Sequence, residues 1–301
     1  MIKTKTAIIK FFFPFWPIKA FKTTKTIFLL AFLIALSILL NLINIKIVGG
    51  ISLSFAWLPV IIIGWYFGPI IGLLMGAIID TINWLIYGGI WFWLYAIQEP
   101  LIGLITGLLV SSFFAIKKRK HHFLINLIIS QLVTIGFLIF SIAIVFYFSN
   151  PEQNNLITSN LNNLLVKTNQ IIKWLIISFL ILFFTIIEAI IIYKLIKFKQ
   201  QKKQDQFEDF LFICVLMIVI TTLFSYLLGP ISAIEYYKFI NQTSNVPNLI
   251  NYGYIYFLLP RVIKECFKTP VYIILLTLII CSLNPLLIKI KNNIYNSYIQ
   301  Y

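Results

Sequence analysis

Arg261, Lys264, Glu265 and Lys268 bring four charges into LLPRVIKECFKTPVY, residues 258–272, an otherwise apolar stretch. Counted from Arg261 they stand at i, i+3, i+4 and i+7, so a helix carries all four on one face. Two readings of such a face stay open. It is either a solvated stripe at a membrane entrance or an anion-binding face, in which Arg261 grips a carboxylate through two parallel hydrogen bonds and Lys264 adds a second cation. Glu265 then moderates the local charge or accepts from a ligand amine. Pro260 suits the first turn of a helix, where a missing N–H costs nothing. That places the charges in a wet outer mouth, with Lys268 at its rim and the lipid core beginning after Pro270.

Ionisable groups inside a membrane are expensive, which makes every other one a candidate for function. Asp80 stands near the end of GPIIGLLMGAIIDTINWLIYGG. It either hydrogen-bonds a neighbouring helix or contacts a ligand or cation. Glu99 precedes Pro100 and follows Gln98, shortly after Trp91 and Trp93. That Trp pair is either an interfacial belt or a stacking surface for a flat heteroaromatic ligand. Glu188, in LILFFTIIEAIIIYK, reads as structural. Ala31 and Ala35 make a small-residue strip on one helix face, and Gly64, Gly68, Gly72 and Gly76 recur every four residues, a pattern for close helix packing. The three cysteines, Cys214, Cys266 and Cys281, form no CxxC and accompany no histidine cluster, so neither metal nor cofactor binding is expected. No GxxxxGK[ST], HExxH or GxSxG occurs, which leaves hydrolytic chemistry without support.

The elements that must hold these residues are membrane helices. Of 301 residues 60% are hydrophobic and 11% charged, with mean hydropathy +0.96. Apolar runs at 26–45, 56–67, 69–86, 93–115, 123–149, 171–197, 208–229 and 254–288 predict eight crossings of an all-α polytopic membrane protein, the second and third joined tightly at Phe67-Gly68-Pro69. The net charge of +15 comes mostly from short segments beside these runs, the positive-inside pattern, which predicts both termini on the cytoplasmic side and no nucleic-acid partner. Residues 1–25 read as a basic amphipathic lead-in. The Asn-rich 151–170 reads as a hydrated outer loop, and 229–253, with three Tyr and two Pro, as a covering loop.

Several of these stretches, in this order, resemble one family. LSFAWLPVIIIGWYFGPIIGLLMGAIIDTINWLIYGG (53–89) is similar to the second and third helices of substrate-binding (S) components of energy-coupling factor (ECF) vitamin transporters. AFLIALSILL resembles their first helix, with its Ala-x-x-x-Ala strip, and PLIGLITGLLV their fourth. YGYIYFLLPRVIKECFKTPVYIILL resembles the sixth helix of the folate type, which carries a similar Arg-x-x-Lys followed by Pro. The likeness covers 26–116 and 207–290. It implies a six-helix core, made of helices 1–4 in 26–116 and helices 5–6 with a cytoplasmic tail in 207–301. Residues 117–206 then hold two additional inserted transmembrane helices.

The resemblance implies a vitamin-binding subunit of a bacterial plasma-membrane importer, with folate as substrate, no covalent chemistry, and a transmembrane coupling subunit and two ABC ATPases as partners. Ala31 and Ala35 would dock on the coupling subunit. The candidate substrate-binding residues are Arg261 and Lys264 for ligand carboxylates, Asp80 for pterin nitrogens, Phe55, Trp84, Trp91 and Trp93 for stacking, and Gln98 beside them. The reading from a different class is an ion-coupled secondary transporter of a small organic solute, built on Glu99 and Glu188.

Overall fold

The computed structural model describes residues 24–42, 45–47, 51–53, 55–117, 122–149, 162–201, 204–241 and 253–299. Residues 1–23, 118–121, 150–161 and 242–252 lie outside them, and with them the expected lead-in and part of the expected outer loop 151–170; from Asn162 onward that segment is helical, not loop. Helix dominates the described chain, as it must where no water is present to satisfy backbone N–H and C=O groups. The order is α1 (Thr24–Leu42), a small antiparallel hairpin of β1 (Ile45–Ile47) and β2 (Ile51–Leu53), α2 (Trp57–Phe67), α3 (Pro69–Tyr87), a single turn α4 (Trp93–Ala96), α5 (Gln98–Lys117), α6 (His122–Ser149), α7 (Asn162–Gln201), α8 (Gln204–Ile220), a π-helical stretch (Thr221–Leu228), α9 (Gly229–Asn241) and α10 (Gly253–Ile299). Among the described residues six helical spans are long and apolar enough to cross a membrane, and Thr26–Leu42 and Trp57–Phe67 are shorter apolar helices. The chain is an all-α polytopic membrane protein.

Two compact units are distinguished. The first comprises Met1–Leu127, Gln204–Leu216 and Tyr272–Tyr301; the second comprises Ile128–Lys203 and Met217–Val271. In the first, α2 is the buried centre. Leu58 to Trp65 and Phe67 are all buried, because this helix is wrapped by protein and shows no lipid-facing side. It ends at Gly68, whose φ of 90° suits a residue without Cβ, and Pro69 restarts the chain as α3.

The predicted glycine repeat does pack, and against α5. The Cβ missing from Gly72 would fall 2.7 Å from the Gly103 carbonyl carbon, and that missing from Gly76 would fall 2.6 Å from the Glu99 carbonyl oxygen. Gly64 also faces Gly103 and Gly107 faces the Gly68-Pro69 junction, so α2, α3 and α5 touch backbone to backbone. Trp65, Phe113 and Phe212 fill the remaining space, the two phenylalanines stacked at 4.3 Å.

The second unit packs Ile144, Val145, Ile176, Ile177 and Leu180 against Tyr226, Tyr254, Leu258 and Val262. Two expectations about helix ends are corrected here. Gly229-Pro230 starts no loop: Gly229 has φ −58° and ψ −54°, and helix continues to Asn241, so half of the expected covering loop is helical. Likewise α10 begins at Gly253, seven residues before Pro260, so that proline is interior and withholds its N–H from the Tyr256 carbonyl. Continuing the helix through both prolines keeps the flanking backbone bonded, which in hydrocarbon outweighs the local breaking signal.

Candidate functional site

The face of α3 that carries Asp80 supplies Asn83, Trp84 and Tyr87 at the following i+3, i+4 and i+7 positions. With Asn41 of α1, Gly88 and Glu99 of α5 they line a cavity of about 440 Å³ in the first unit. Each wall is held by a nameable contact. Tyr87 Oη donates to the Ile38 carbonyl at 3.0 Å and ties the end of α3 to α1. Gly88 and Gly89, at φ 67° and 102°, turn the chain back so that Trp84 Nε1 donates to the Gly89 carbonyl at 3.2 Å, fixing the indole plane. The Gly76 contact with Glu99 and Pro100 lets α5 come close enough to place Glu99 in the same wall.

Three buried polar atoms of the cavity are not satisfied by the protein. Asn83 is 7% exposed, and neither its Oδ1 nor its Nδ2 has a hydrogen-bond partner; Glu99 Oε2 is buried in the same condition. A buried polar group without a partner costs on the order of 1–3 kcal/mol, so three such atoms around one cavity are what a site looks like before its ligand supplies the bonds.

Of the residues expected in a binding set, Asp80 and Trp84 line this cavity. Phe55, Trp91, Trp93 and Gln98 do not. Phe55 stacks on Tyr272 at 5.5 Å and 18°, fastening the chain before α2 to α10. Trp91 and Trp93 are 54% and 57% exposed and flank the buried Phe92, which packs on Trp93 and Tyr95. Gln98 is half-buried at the start of α5. Asn83, Asn41 and Tyr87 were missed, although the helical period from Asp80 points at Asn83, Trp84 and Tyr87 together.

Arg261 and Lys264 belong to the second unit, where the charged face is buried more deeply than a wet mouth allows. Glu265 is 1% exposed and Lys268 5%, so Lys268 is no rim residue. Ser225 Oγ donates to Glu265 Oε1 at 2.9 Å and Thr269 Oγ1 to Oε2 at 3.0 Å, while the Lys268 and Lys264 ammonium groups lie 3.6 and 4.0 Å from Oε1. The π-helical stretch supplies Ser225, and its Thr221 hydroxyl lies 3.3 Å from that of Thr269. Glu265 therefore reads as the partner that makes buried Lys268 and half-buried Lys264 tolerable. The Arg261 guanidinium lies against Gly229, where a Cβ would fall 2.5 Å from Nη1. In the same unit Glu188 accepts from Gln131 Nε2 at 3.2 Å, a structural bond between α6 and α7.

Ala31 and Ala35 are both exposed on α1. Among the described residues no group of three or more His, Cys, Asp or Glu is placed to hold a metal.

Comparison with known proteins adds the following. A family model described as ECF transporter, substrate-specific component, matches residues 25–195, more than half of the chain. The match takes in the helices expected as an insert and ends before the charged helix. An uncharacterized protein of Mycoplasma genitalium is 30% identical over 285 residues, covering 94% of this chain and 96% of its own length. A homolog of it in Mycoplasma pneumoniae is 29% identical over 285 residues, with the same coverage.

Proposed function

We propose a binding role that proceeds from one premise: the chain belongs to the family of ECF transporter substrate-specific components. Membership makes it the substrate-binding subunit of an ECF transporter and implies association with ECF ATPase and coupling subunits. The family is one of transporter subunits and not of enzymes.

The finer reading is that this multi-pass protein sits in the bacterial plasma membrane with both termini cytoplasmic, captures a vitamin at the outer face with high affinity, and delivers it when two partner ATPases drive it to topple against the coupling subunit. Folate is the proposed vitamin. Asp80 would take pterin nitrogens in the first unit, with Trp84 as a stacking face; Arg261 and Lys264 are the proposed carboxylate-binding cations of the second unit, through charge-assisted hydrogen bonds. Six core helices in 26–116 and 207–301 would carry the binding function, and 117–206 would be the added pair. Ala31 and Ala35, small and exposed, would be where the coupling subunit seats.

The observation that supports capture is the cavity of the first unit, with its unpartnered Asn83 and Glu99 oxygens. The test is mass spectrometry of small molecules retained by the purified full chain. A retained folate supports class and substrate together. A retained vitamin of another kind keeps the class and removes folate, and a protein that neither retains nor binds any vitamin removes the capture role.

A further inference from the structure

The indole and phenol donors on the cavity wall are already used, and beside the Asn amides what remains are acceptors. Trp84 gives its N–H to Gly89, and Tyr87 gives its O–H to Ile38. Asp80 and Glu99 in their ionised form only accept, and among the described lining residues none carries a positive charge. Asn83, nine-tenths buried, presents one acceptor oxygen and an NH2 group with nothing to bind. A carboxylate or phosphate brought here would meet two carboxylates and gain at most the amide donors of Asn41 and Asn83. A ligand edge of adjacent N–H groups would instead satisfy Asn83 Oδ1 and Glu99 Oε2 together.

We infer that this cavity binds the N–H-bearing edge of a flat, neutral or cationic nitrogen heterocycle or amidine, with its ring against the fixed indole of Trp84, and that it excludes anionic groups. The inference deepens the capture reading above and rests on it, but it does not depend on folate. It assigns to Asn83 and Glu99 the selection of the ligand's donor edge. Asn83 supplies one acceptor and two donors, and Glu99 an acceptor that prefers a charged or strongly polarised N–H. Because both are buried, an analogue lacking the N–H groups leaves them unpaired and is rejected strongly, where a merely apolar pocket would discriminate weakly.

Two pairs of probes decide this on the purified full chain. Benzamidine and benzoate match in shape and differ in charge and in presenting donors or acceptors, and pterin and p-aminobenzoyl-glutamate are the donor-edged and anionic halves of folate. Titration followed by tryptophan fluorescence and calorimetry is expected to show benzamidine and pterin competing for one site, with benzoate absent from it. Asn83→Leu is expected to weaken both by at least about tenfold, a single lost bond to a buried polar group being enough for that. The same substitution is expected to raise the thermal midpoint of the ligand-free protein, since it removes unpaired buried atoms; a purely structural Asn83 would give the opposite sign. Glu99→Gln serves as the second variant, expected to weaken benzamidine more than pterin.

Benzoate binding as well as benzamidine, or unchanged pterin and benzamidine affinity in both variants, overturns the inference and leaves folate capture standing. Benzamidine binding that Asn83→Leu abolishes, in a protein that ignores folate, removes folate and keeps the inference. Failure of wild-type protein to bind either donor-edged probe overturns it outright.

Discussion

At the scale of single residues, the protein contains two helix faces with the same i, i+3, i+4, i+7 spacing and opposite character. Arg261, Lys264, Glu265 and Lys268 form a face whose carboxylate is saturated by Ser225, Thr269 and lysine. Asp80, Asn83, Trp84 and Tyr87 form one whose amide is bare. The Glu265–Lys268 part of the first is expected to matter for stability; Arg261 and, separately, the second face are expected to matter for binding. Glu265→Ala should strip the compensation from buried Lys268 and cost about 3–5 kcal/mol, read as a fall in the thermal midpoint in detergent, whereas Glu265→Gln, which keeps one acceptor oxygen for a hydroxyl and the side-chain volume, should cost less. Arg261→Ala is expected to abolish vitamin binding with membrane insertion intact; equal affinity in purified protein would remove Arg261 from the site. The charged residues were legible in the sequence because charge in an apolar run is conspicuous. Asn83 was not, because an uncharged amide stands out only when the helical period is followed from Asp80. Trp91 and Trp93 drew attention by their size, yet it is Phe92 between them that is buried.

At the scale of elements, the glycine columns decide how closely the helices approach. Gly72 and Gly103 leave no room for a methyl group, and the same contact sets the distance from Asp80's helix to Glu99's. Gly103→Ala is therefore expected to destabilise the first unit by about 1–3 kcal/mol and also to weaken ligand binding, although Gly103 lines no part of the cavity. Thermal unfolding and a binding titration on the same preparation would show both losses; a loss of stability with unchanged affinity would mean the helix spacing does not govern the site. All eight apolar segments were legible from hydropathy, and the Gly68-Pro69 turn from its dipeptide. The continuation of helix through Gly229-Pro230 and Pro260 was not, since the same dipeptide signals act differently where an unbonded backbone has no water to turn to. The π geometry of Thr221–Leu228, which brings Ser225 to Glu265, leaves no simple mark in an apolar sequence.

At the scale of the whole molecule, the chain is one subunit of an ECF transporter, and the proposed docking residues Ala31 and Ala35 are apolar. That is why docking has to be tested by size and not by charge. Ala31→Trp with Ala35→Trp is expected to abolish co-purification with the coupling subunit while vitamin affinity stays within about twofold, since neither alanine lines the cavity. Retained co-purification would place the docking face elsewhere. One further consequence follows from α2. Its 11 residues rise about 16 Å, roughly half the thickness of the hydrocarbon layer. Such a helix covers only part of the layer by itself, so the polar backbone at its Trp57 end depends on protein for its bonds. Ser37, fully buried on α1, gives its hydroxyl to the Ala56 carbonyl at 3.1 Å. A helix too short to finish a crossing thus leans on its neighbour to keep its open end from lipid.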